Sequence, residues 1–237
     1  MLSNKYPIST RSAFLWLMAY QAKRRVLCLC VLILLGSDYG SVALGQGRKP
    51  DPSHADRPEA TYRGGLVTPP LPKPRFTLTD TSGALFDFWR ETEGYVTLLF
   101  FGYARCPDQC PLHMANIAMG LKKMPTGFGE QVKLVFVTTD PARDSPTVLR
   151  AWLSQFDERF IGLTGSEAAI EAAQKAAGVP RASKAARTGE DYAVGHANFV
   201  LAYTKDNLAH VIYPGGVTQQ DWAHDLPQLI KETWSSR

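Results

Sequence analysis

The stretch Tyr95-Val-Thr-Leu-Leu-Phe-Phe-Gly-Tyr-Ala-Arg-Cys-Pro-Asp-Gln-Cys-Pro111 decides the fold of this chain. Its first seven residues form an apolar run that is typical of a buried strand, and Gly102 ends the run. A helical pattern begins near Pro107 and continues to Met124. Cys106 and Cys110 therefore lie at the opening of a predicted helix, one turn apart on one face.

The two cysteines permit two kinds of chemistry. Their α carbons are expected about 6 Å apart, which is within the range of a disulfide bond. As thiolates they can instead hold one soft metal ion, and the positive end of the helix dipole favours the thiolate form. A purely structural disulfide is the weakest interpretation, because so short a loop would add little stability to a domain of this size.

The rest of the chain alternates strand and helix patterns. Strands are predicted at residues 76–79, 85–88, 95–101, 132–138, 197–203 and 208–213. Helices are predicted at residues 107–124, 146–156, 167–177 and 219–234, with Ser145 and Ser166 as N-caps. This order predicts an α/β three-layer sandwich with a mixed central sheet, in which a crossover joins two parallel strands and a hairpin adds antiparallel ones. A cysteine pair at the first strand–helix junction makes the predicted architecture thioredoxin-like, with its functional crevice at the carboxyl ends of the strands.

The N-terminal residues 1–43 are predicted to be a signal peptide or an N-terminal anchor. Three basic residues at 23–25 precede ten apolar residues from Val26 to Leu35, and small residues follow at 41–43. Ten apolar residues span a bilayer poorly, and Asp38 makes a longer span costly. Cleavage is therefore favoured over a retained anchor, and the protein is expected to be exported to the periplasm.

Three segments follow from this organisation. After the leader, residues 44–74 are rich in Pro, Gly and Arg without periodicity, and they are predicted to form a flexible linker. Residues 75–237 are predicted to form the folded domain. Met18 is an alternative start of the chain, which would shorten the basic region of the leader.

Loss of the leader changes both the charge and the cysteine count. Residues 1–43 hold five of the 26 basic residues and one of the 22 acidic residues, so 21 of each remain and the net charge of +4 disappears. A near-neutral domain excludes the electrostatic footprint of a nucleic-acid-binding protein. Cys28 and Cys30 would also be lost, which leaves only one close cysteine pair in an oxidising compartment.

Three segments of this chain resemble the Sco/SenC family of exported or membrane-anchored thioredoxin-like proteins, which help to install copper in cytochrome c oxidase. The segments are Phe101–Pro111, Thr139–Pro146 and Tyr192–Phe199, and the resemblance covers roughly residues 70–234. The family's copper ligands correspond to Cys106, Cys110 and His196.

The resemblance implies a metallochaperone for Cu(I) or Cu(II). Its implied partners are the copper-centre subunit of a respiratory oxidase and other copper carriers, with the N-terminal segment as a membrane tether if it is retained. Two thiolates and one imidazole suit copper better than calcium or magnesium, and zinc would usually take a fourth ligand. Three ligands leave one side open, as a carrier that releases its ion requires.

Other polar residues are interpreted more conservatively. Two positions depart from the family pattern. His113, three residues after Cys110, is a competing ligand. Gly195 stands where many members have Asp. The histidines at 54, 210 and 224 are not expected to bind metal. Asp140 and Asp144 are interpreted as turn and cap residues.

Two alternative functions use the same cysteines. In a thiol–disulfide reductase that keeps the oxidase's metal-ligand cysteines reduced, Cys106 would attack and Cys110 would resolve the mixed disulfide. A peroxide-handling thiol enzyme is the weaker alternative. The C-x3-C spacing and the lack of a proline between Pro180 and Pro214 both favour metal handling over general dithiol catalysis.

Overall fold

The central sheet of the protein contains eight strands in the order β1-β10-β9-β4-β5-β6-β2-β3 in a computed structural model, which describes residues 62–185 and 192–234. Strands β7 and β8 form a separate short pair. The strands are β1 Gly65–Pro72, β2 Thr77–Asp80, β3 Leu85–Asp87, β4 Val96–Gly102, β5 Val132–Thr138, β6 Ile161–Thr164, β7 Ser183–Lys184, β8 Val194–Gly195, β9 Phe199–Tyr203 and β10 Leu208–Pro214.

Five α-helices accompany these strands in the described part of the chain. They are α1 Phe88–Glu91, α2 Gln109–Lys122, α3 Pro146–Leu153, α4 Glu167–Ala176 and α5 Gln219–Lys231. The predicted N-caps are confirmed, since Ser145 Oγ accepts from the backbone N–H of Val148 and Ser166 Oγ accepts from that of Ala169. Among the described residues, every helix is too short or too polar to cross a bilayer.

The apolar sequence of β4 places this strand between two cores. Its side chains point alternately to opposite faces of the sheet. Leu98 and Phe100 face a core that includes side chains of α2, α3 and α5, whereas Leu99 and Phe101 face a core formed with α1 and α4. Helices therefore cover both faces of the sheet, and the predicted thioredoxin-like three-layer sandwich is confirmed.

Strand polarity also follows the prediction. Strand β4 pairs in parallel with β5 and antiparallel with β9, and β10 continues the antiparallel side. Because β9 runs against β4, the residues that follow β4 and the residues that precede β9 lie at the same edge of the sheet. The cysteine segment and the segment around His196 meet at this edge.

Two strands of the central sheet, and the short pair β7 and β8 outside it, were not expected from the sequence. Residues 65–72 fall in the predicted linker, but they form β1, which pairs antiparallel with β10 and has a bulge between Leu66 and Leu71. The prolines in this segment masked the strand pattern, although prolines are tolerated at a bulge on an edge strand. Strand β6 has only four residues and lies between two helices, which is too short for a periodic pattern to show. Residues 1–61, with the predicted leader and most of the linker, lie outside the described residues.

A buried carboxylate attaches the start of β1 to the last helix. Asp225 on α5 is fully buried, and its Oδ2 accepts hydrogen bonds from the backbone N–H groups of Arg63 and Gly64, at 2.8 and 3.2 Å, and from the hydroxyl of Tyr213, at 2.8 Å. Its Oδ1 lies 2.6 Å from Nδ1 of His224. The folded domain therefore begins before β1 rather than after it.

Substitution Asp225→Ala tests this attachment. We expect the free energy of unfolding to fall by about 3 kcal/mol, because the buried hydroxyl of Tyr213 and two partly buried backbone N–H groups lose their acceptor. Urea denaturation measures the loss. His224→Ala is the matched control, since His224 is exposed and meets this carboxylate at its other oxygen, Oδ1, and the substitution should cost less than about 1 kcal/mol. A loss of equal size in both variants would contradict the assignment.

Candidate metal centre

The loop between β4 and α2 places the two cysteines in different environments. Cys106 precedes the helix and is half-buried, whereas Cys110 is the second helical residue and is fully buried. The helix begins at Gln109, two residues later than the sequence predicts, and both cysteines are free thiols. Gly102 makes room for the pair, because a Cβ at this position would lie 2.6 Å from Sγ of Cys110.

His196 lies between β8 and β9 and faces both sulfurs. Its Nε2 is 3.3 Å from Sγ of Cys110 and 3.9 Å from Sγ of Cys106. Its Nδ1 is 3.0 Å from the carbonyl oxygen of Ala197, which can only accept. Nδ1 therefore carries the hydrogen, and in the neutral ring Nε2 directs its lone pair at the sulfurs.

Two aromatic rings hold the imidazole of His196 in this orientation. Phe100 and Tyr103 each make an edge-to-face contact with it, at centroid distances of 5.8 and 5.6 Å and interplanar angles of 87° and 82°. Such contacts favour one ring orientation over others. The imidazole is therefore positioned by packing as well as by its hydrogen bond.

The three side chains form a cluster with metal-ligand spacing. The ligand atoms of Cys106, Cys110 and His196 all lie within 4.8 Å of one another. Within residues 62–185 and 192–234, no other group of three or more His, Cys, Asp or Glu side chains has such an arrangement. The structure thus brings together the three residues that the resemblance singled out.

The two thiols differ in acidity. The hydrogen bond from the Cys110 thiol is the largest cause that lowers the pKa of Cys106, to about 4, although partial burial opposes it. Burial is the main cause that raises the pKa of Cys110 well above its ordinary value, and the hydrogen bond that it donates to Cys106 adds to this effect. At neutral pH the pair is therefore one thiolate and one thiol.

His113 lies near this cluster but outside it. Its ring is almost fully buried against Phe100, at a centroid distance of 5.0 Å, and its Nε2 lies 2.9 Å from Oδ1 of Asn198. Burial lowers its pKa, so the ring is neutral. The amide oxygen accepts the hydrogen on Nε2, and this nitrogen is therefore engaged by Asn198 rather than directed at the sulfurs.

The remaining described histidines have partners elsewhere. His210 lies 2.7 Å from Oδ2 of Asp206 and stacks on Trp234, with ring centroids 3.8 Å apart. His224 contacts Asp225 on the surface of α5. His54 lies outside the described residues.

Two buried aspartates support the centre, and the interpretation of Asp140 and Asp144 as simple turn and cap residues is incomplete. Both side chains are fully buried. Oδ2 of Asp144 accepts hydrogen bonds from the backbone N–H of Ala104, at 2.9 Å, and from the hydroxyl of Thr138, at 2.7 Å. Burial raises the pKa of Asp144. The loop after β5 is thereby attached to the cysteine loop.

Asp140 makes the second attachment. Its carboxylate accepts hydrogen bonds from the hydroxyl of Tyr192 and from Nε of Arg143. The guanidinium of Arg143 lies 3.6 Å from the centroid of the Tyr192 ring, in a cation–π contact. Tyr192 precedes β8, so the segment that leads to His196 is attached to the same loop. The sequence signal was two acids after a buried strand, but it did not indicate their distant partners.

The thiolate character of Cys106 has a measurable consequence. In the reduced, metal-free protein, the rate of Cys106 alkylation by iodoacetamide should change by less than about twofold between about pH 8 and about pH 5.5, because the thiolate persists above its pKa. An ordinary thiol would lose about tenfold per pH unit over much of this range.

Two variants control this measurement. In Cys110→Ala, the hydrogen bond to the Cys106 thiolate is lost, so the alkylation rate should fall towards low pH. In Cys106→Ser, the buried Cys110 is the one cysteine left within residues 62–185 and 192–234, and its alkylation should be slow at every pH. A Cys106 rate that falls about tenfold per pH unit in the unsubstituted protein would refute the thiolate assignment.

Comparison with known proteins agrees with this geometry. The chain is 38% identical over 160 residues to a protein of Stutzerimonas stutzeri that is named for copper binding, covering 66% of this chain and 76% of that protein. It is 34% identical over 142 residues to the mitochondrial protein SCO1 of Saccharomyces cerevisiae, covering 60% of this chain but only 48% of the yeast protein.

Solved structures of similar proteins show the same fold. The copper-bound structure of ScoI from Bradyrhizobium japonicum has 30% sequence identity and a TM-score of 0.60, covering 68% of this chain and 99% of that chain. The family model described as SCO1/SenC matches residues 68–231, which is more than half of the sequence. This protein therefore belongs to the SCO1/SenC family.

Proposed function

We propose that this protein is an exported copper carrier that takes part in assembling the copper centre of a respiratory cytochrome oxidase. The observation that carries the proposal is the preassembled cluster of Cys106, Cys110 and His196, whose ligand atoms lie within 4.8 Å of one another. The copper-bound structures of similar family members support the choice of metal.

The spacing of the three ligand atoms fits a single bound ion. Metal–sulfur and metal–nitrogen bonds of about 2.0–2.3 Å place neighbouring ligand atoms about 3.5–4 Å apart in trigonal or tetrahedral geometry. Of the two sulfur–nitrogen distances, 3.9 Å lies within this range and 3.3 Å lies just below it. Copper therefore needs only small side-chain movements to contact all three atoms, and the soft sulfur ligands favour it over calcium or magnesium.

Each ligand has a distinct role in uptake and release. The half-buried Cys106 thiolate is the accessible ligand that first meets the incoming ion. Cys110 loses its proton when it binds, and His196 completes the site. In the reverse direction, reprotonation of Cys110 and exchange of Cys106 for a ligand of the acceptor release the ion. The proposed acceptor is the copper-centre subunit of the oxidase, and other copper carriers are the proposed donors.

The proposed location follows from the N-terminal sequence. The basic and apolar residues of the leader support export to the periplasm, with cleavage or retention as an inner-membrane anchor as the two outcomes. Mass spectrometry of the protein purified from the periplasmic and membrane fractions distinguishes them. A full-length protein confined to the cytoplasm would refute export.

His196→Ala tests the copper site. Titration of the reduced protein with Cu(II), followed through the sulfur-to-copper charge-transfer absorption, should give a one-to-one end point in the unsubstituted protein. We expect the copper affinity of the variant to fall more than about 100-fold. Loss of a residue that hydrogen-bonds to a metal ligand already lowers affinity by about 10- to 100-fold, and loss of the ligand itself should lower it at least as much. His224→Ala, which alters an exposed histidine, should bind normally. Unchanged affinity in His196→Ala would refute the proposed site.

Proton release provides an independent test. Because Cys106 is already a thiolate and Cys110 is a thiol, binding of one copper should release about one proton from the cysteine pair near neutral pH. The pKa of Cys110 is raised, so a rise in pH removes a competing proton and should tighten copper binding. Calorimetry in buffers of different ionisation enthalpy measures the release. An affinity that is independent of pH, with no proton released, would contradict the assignment.

A thiol–disulfide reductase is the second candidate, and the low pKa of the half-buried Cys106 favours it. Cys106 would attack a partner disulfide, and Cys110, one turn further along, would resolve the mixed disulfide. Reductase turnover that survives His196→Ala would be expected of this activity. Strong turnover without any copper charge-transfer band in the unsubstituted protein would replace the carrier proposal with this one.

A further inference from the structure

A chain of hydrogen bonds connects the cysteine helix to the residues that follow His196. Asn198, two residues after His196, donates from Nδ2 to Oε1 of Gln109, at 3.0 Å. Its Oδ1 lies 2.9 Å from Nε2 of His113. With Nδ2 bound to Gln109, the other end of the Asn198 amide faces His113, and Oδ1 accepts the hydrogen on Nε2 of His113.

The side chains on the helix belong to one face. Gln109, His113 and Asn116 are spaced by four and three residues, which places them along the same side of α2. Asn116 makes the third contact of this face, because its Nδ2 donates to the carbonyl oxygen of Val217, at 2.9 Å. We call the hydrogen-bonded set of Gln109 and His113 on this face with Asn198 opposite them the amide bridge.

The opposite side of the amide bridge is held by the sheet. The backbone N–H of Gly215, directly after β10, donates to the carbonyl oxygen of Asn198, at 3.0 Å. A Cβ on Gly215 would overlap Nδ2 of Asn198 and would lie 3.0 Å from Oε1 of Gln109. Only a glycine leaves space for the hydrogen bond between Asn198 and Gln109. Asn198 is therefore confined between α2 on one side and Gly215 on the other.

We propose that the amide bridge is a positioning device for the metal centre, in which His113 and Asn198 hold the strand segment of His196 at bonding distance from the Cys110 helix before any ion arrives. This inference rests on the proposed copper site. His113 acts here through Asn198 and is not a ligand. The role follows from connectivity, since Cys110 lies between Gln109 and His113 on the helix and His196 lies two residues from Asn198.

Loss of the amide bridge should change the position of His196 without disturbing the rest of the fold. Loss of the bridge frees the backbone at residues 196–198 from α2, while the edge-to-face contacts of His196 with Phe100 and Tyr103 remain as the weaker constraint. The Nε2 atom of His196 would then sample positions away from the sulfurs. Copper would bind more weakly and leave faster, although the fold and both cysteines are intact.

Four variants separate positioning from general helix packing. His113→Leu and Asn198→Ala each remove the central hydrogen bond. His113→Gln is the conservative variant, because its side-chain amide can donate to Oδ1 of Asn198. Asn116→Ala is the matched control, because it removes a hydrogen bond from the same face of α2 without touching Asn198. If His113→Leu does not fold, Gly215→Ala takes its place, since its methyl group displaces the Asn198 amide.

The first readout uses the copper-free, reduced protein. Phe100 and Tyr103 shift the nuclear magnetic resonances of the carbon-bound ring protons of His196 through their ring currents. We expect these resonances to move towards solvent-exposed values in His113→Leu and Asn198→Ala, and to stay unchanged in His113→Gln and Asn116→Ala.

The second readout is the rate at which a chelator removes Cu(II), followed through the charge-transfer band. It should rise about tenfold or more in His113→Leu and Asn198→Ala, and stay within about twofold in the other two variants. Resonances and release rates that match the unsubstituted protein in Asn198→Ala would overturn the proposal. An equal effect of Asn116→Ala would also overturn it, because it would show general helix docking.

The two readouts keep this inference separate from the proposed function. If the unsubstituted protein binds no copper, the carrier proposal fails, but the resonances of His196 in the copper-free variants still decide whether the amide bridge positions that ring. If copper binds as proposed, but neither the His196 resonances nor the rate of copper removal changes in His113→Leu and Asn198→Ala, the carrier proposal stands and the positioning role is refuted.

Discussion

The antiparallel pairing of β4 with β9 is the constraint on which the candidate metal centre depends. Leu98 and Leu99 of β4 lie opposite Ala202 and Leu201 of β9, in the middle of the sheet. With this register, the end of one strand and the start of the other come to the same edge. A cysteine pair and a histidine that are almost 90 residues apart in the chain thus meet without a long loop.

The edge of a sheet does not by itself hold three side chains at bonding distance. The loop after β5 supplies part of the missing rigidity, because its two buried aspartates connect to the cysteine loop at Ala104 and to the histidine segment at Tyr192. Buried carboxylates are expensive unless their oxygens accept hydrogen bonds. Oδ2 of Asp144 and both oxygens of Asp140 accept such bonds, and these bonds attach the loop to the segments on either side of the candidate centre.

The sequence was sufficient where local pattern and function coincide. The apolar run of β4 and the two cysteines after it predicted the central strand and the following helix. A resemblance to one family indicated His196, which the structure places beside the two sulfurs. The prediction was incomplete where the decisive contact is long-range. The prolines of β1 hid a strand whose identity depends on β10, and nothing local to Asp140 indicated Tyr192, because that pairing exists only after the sheet has formed.

The same limit explains His113. Three residues after Cys110 on a helix, it has the right spacing for a ligand, and spacing alone cannot tell a ligand from its support. The structure distinguishes the two through Asn198. Its amide nitrogen is bound to Gln109, and its amide oxygen engages Nε2 of His113, so this nitrogen is not directed at the sulfurs.

The proposed carrier would have to hold its ion firmly and also release it, and the unequal burial of the two sulfurs suits both needs. The buried Cys110 binds only after it loses a proton, so its bond to the ion is coupled to pH and to local structure. The half-buried Cys106 remains accessible to a ligand of the proposed acceptor, which could replace it without first opening the core. If both sulfurs were buried, release would require unfolding of the loop, and if both were exposed, competing thiols would remove the ion before it reached its acceptor.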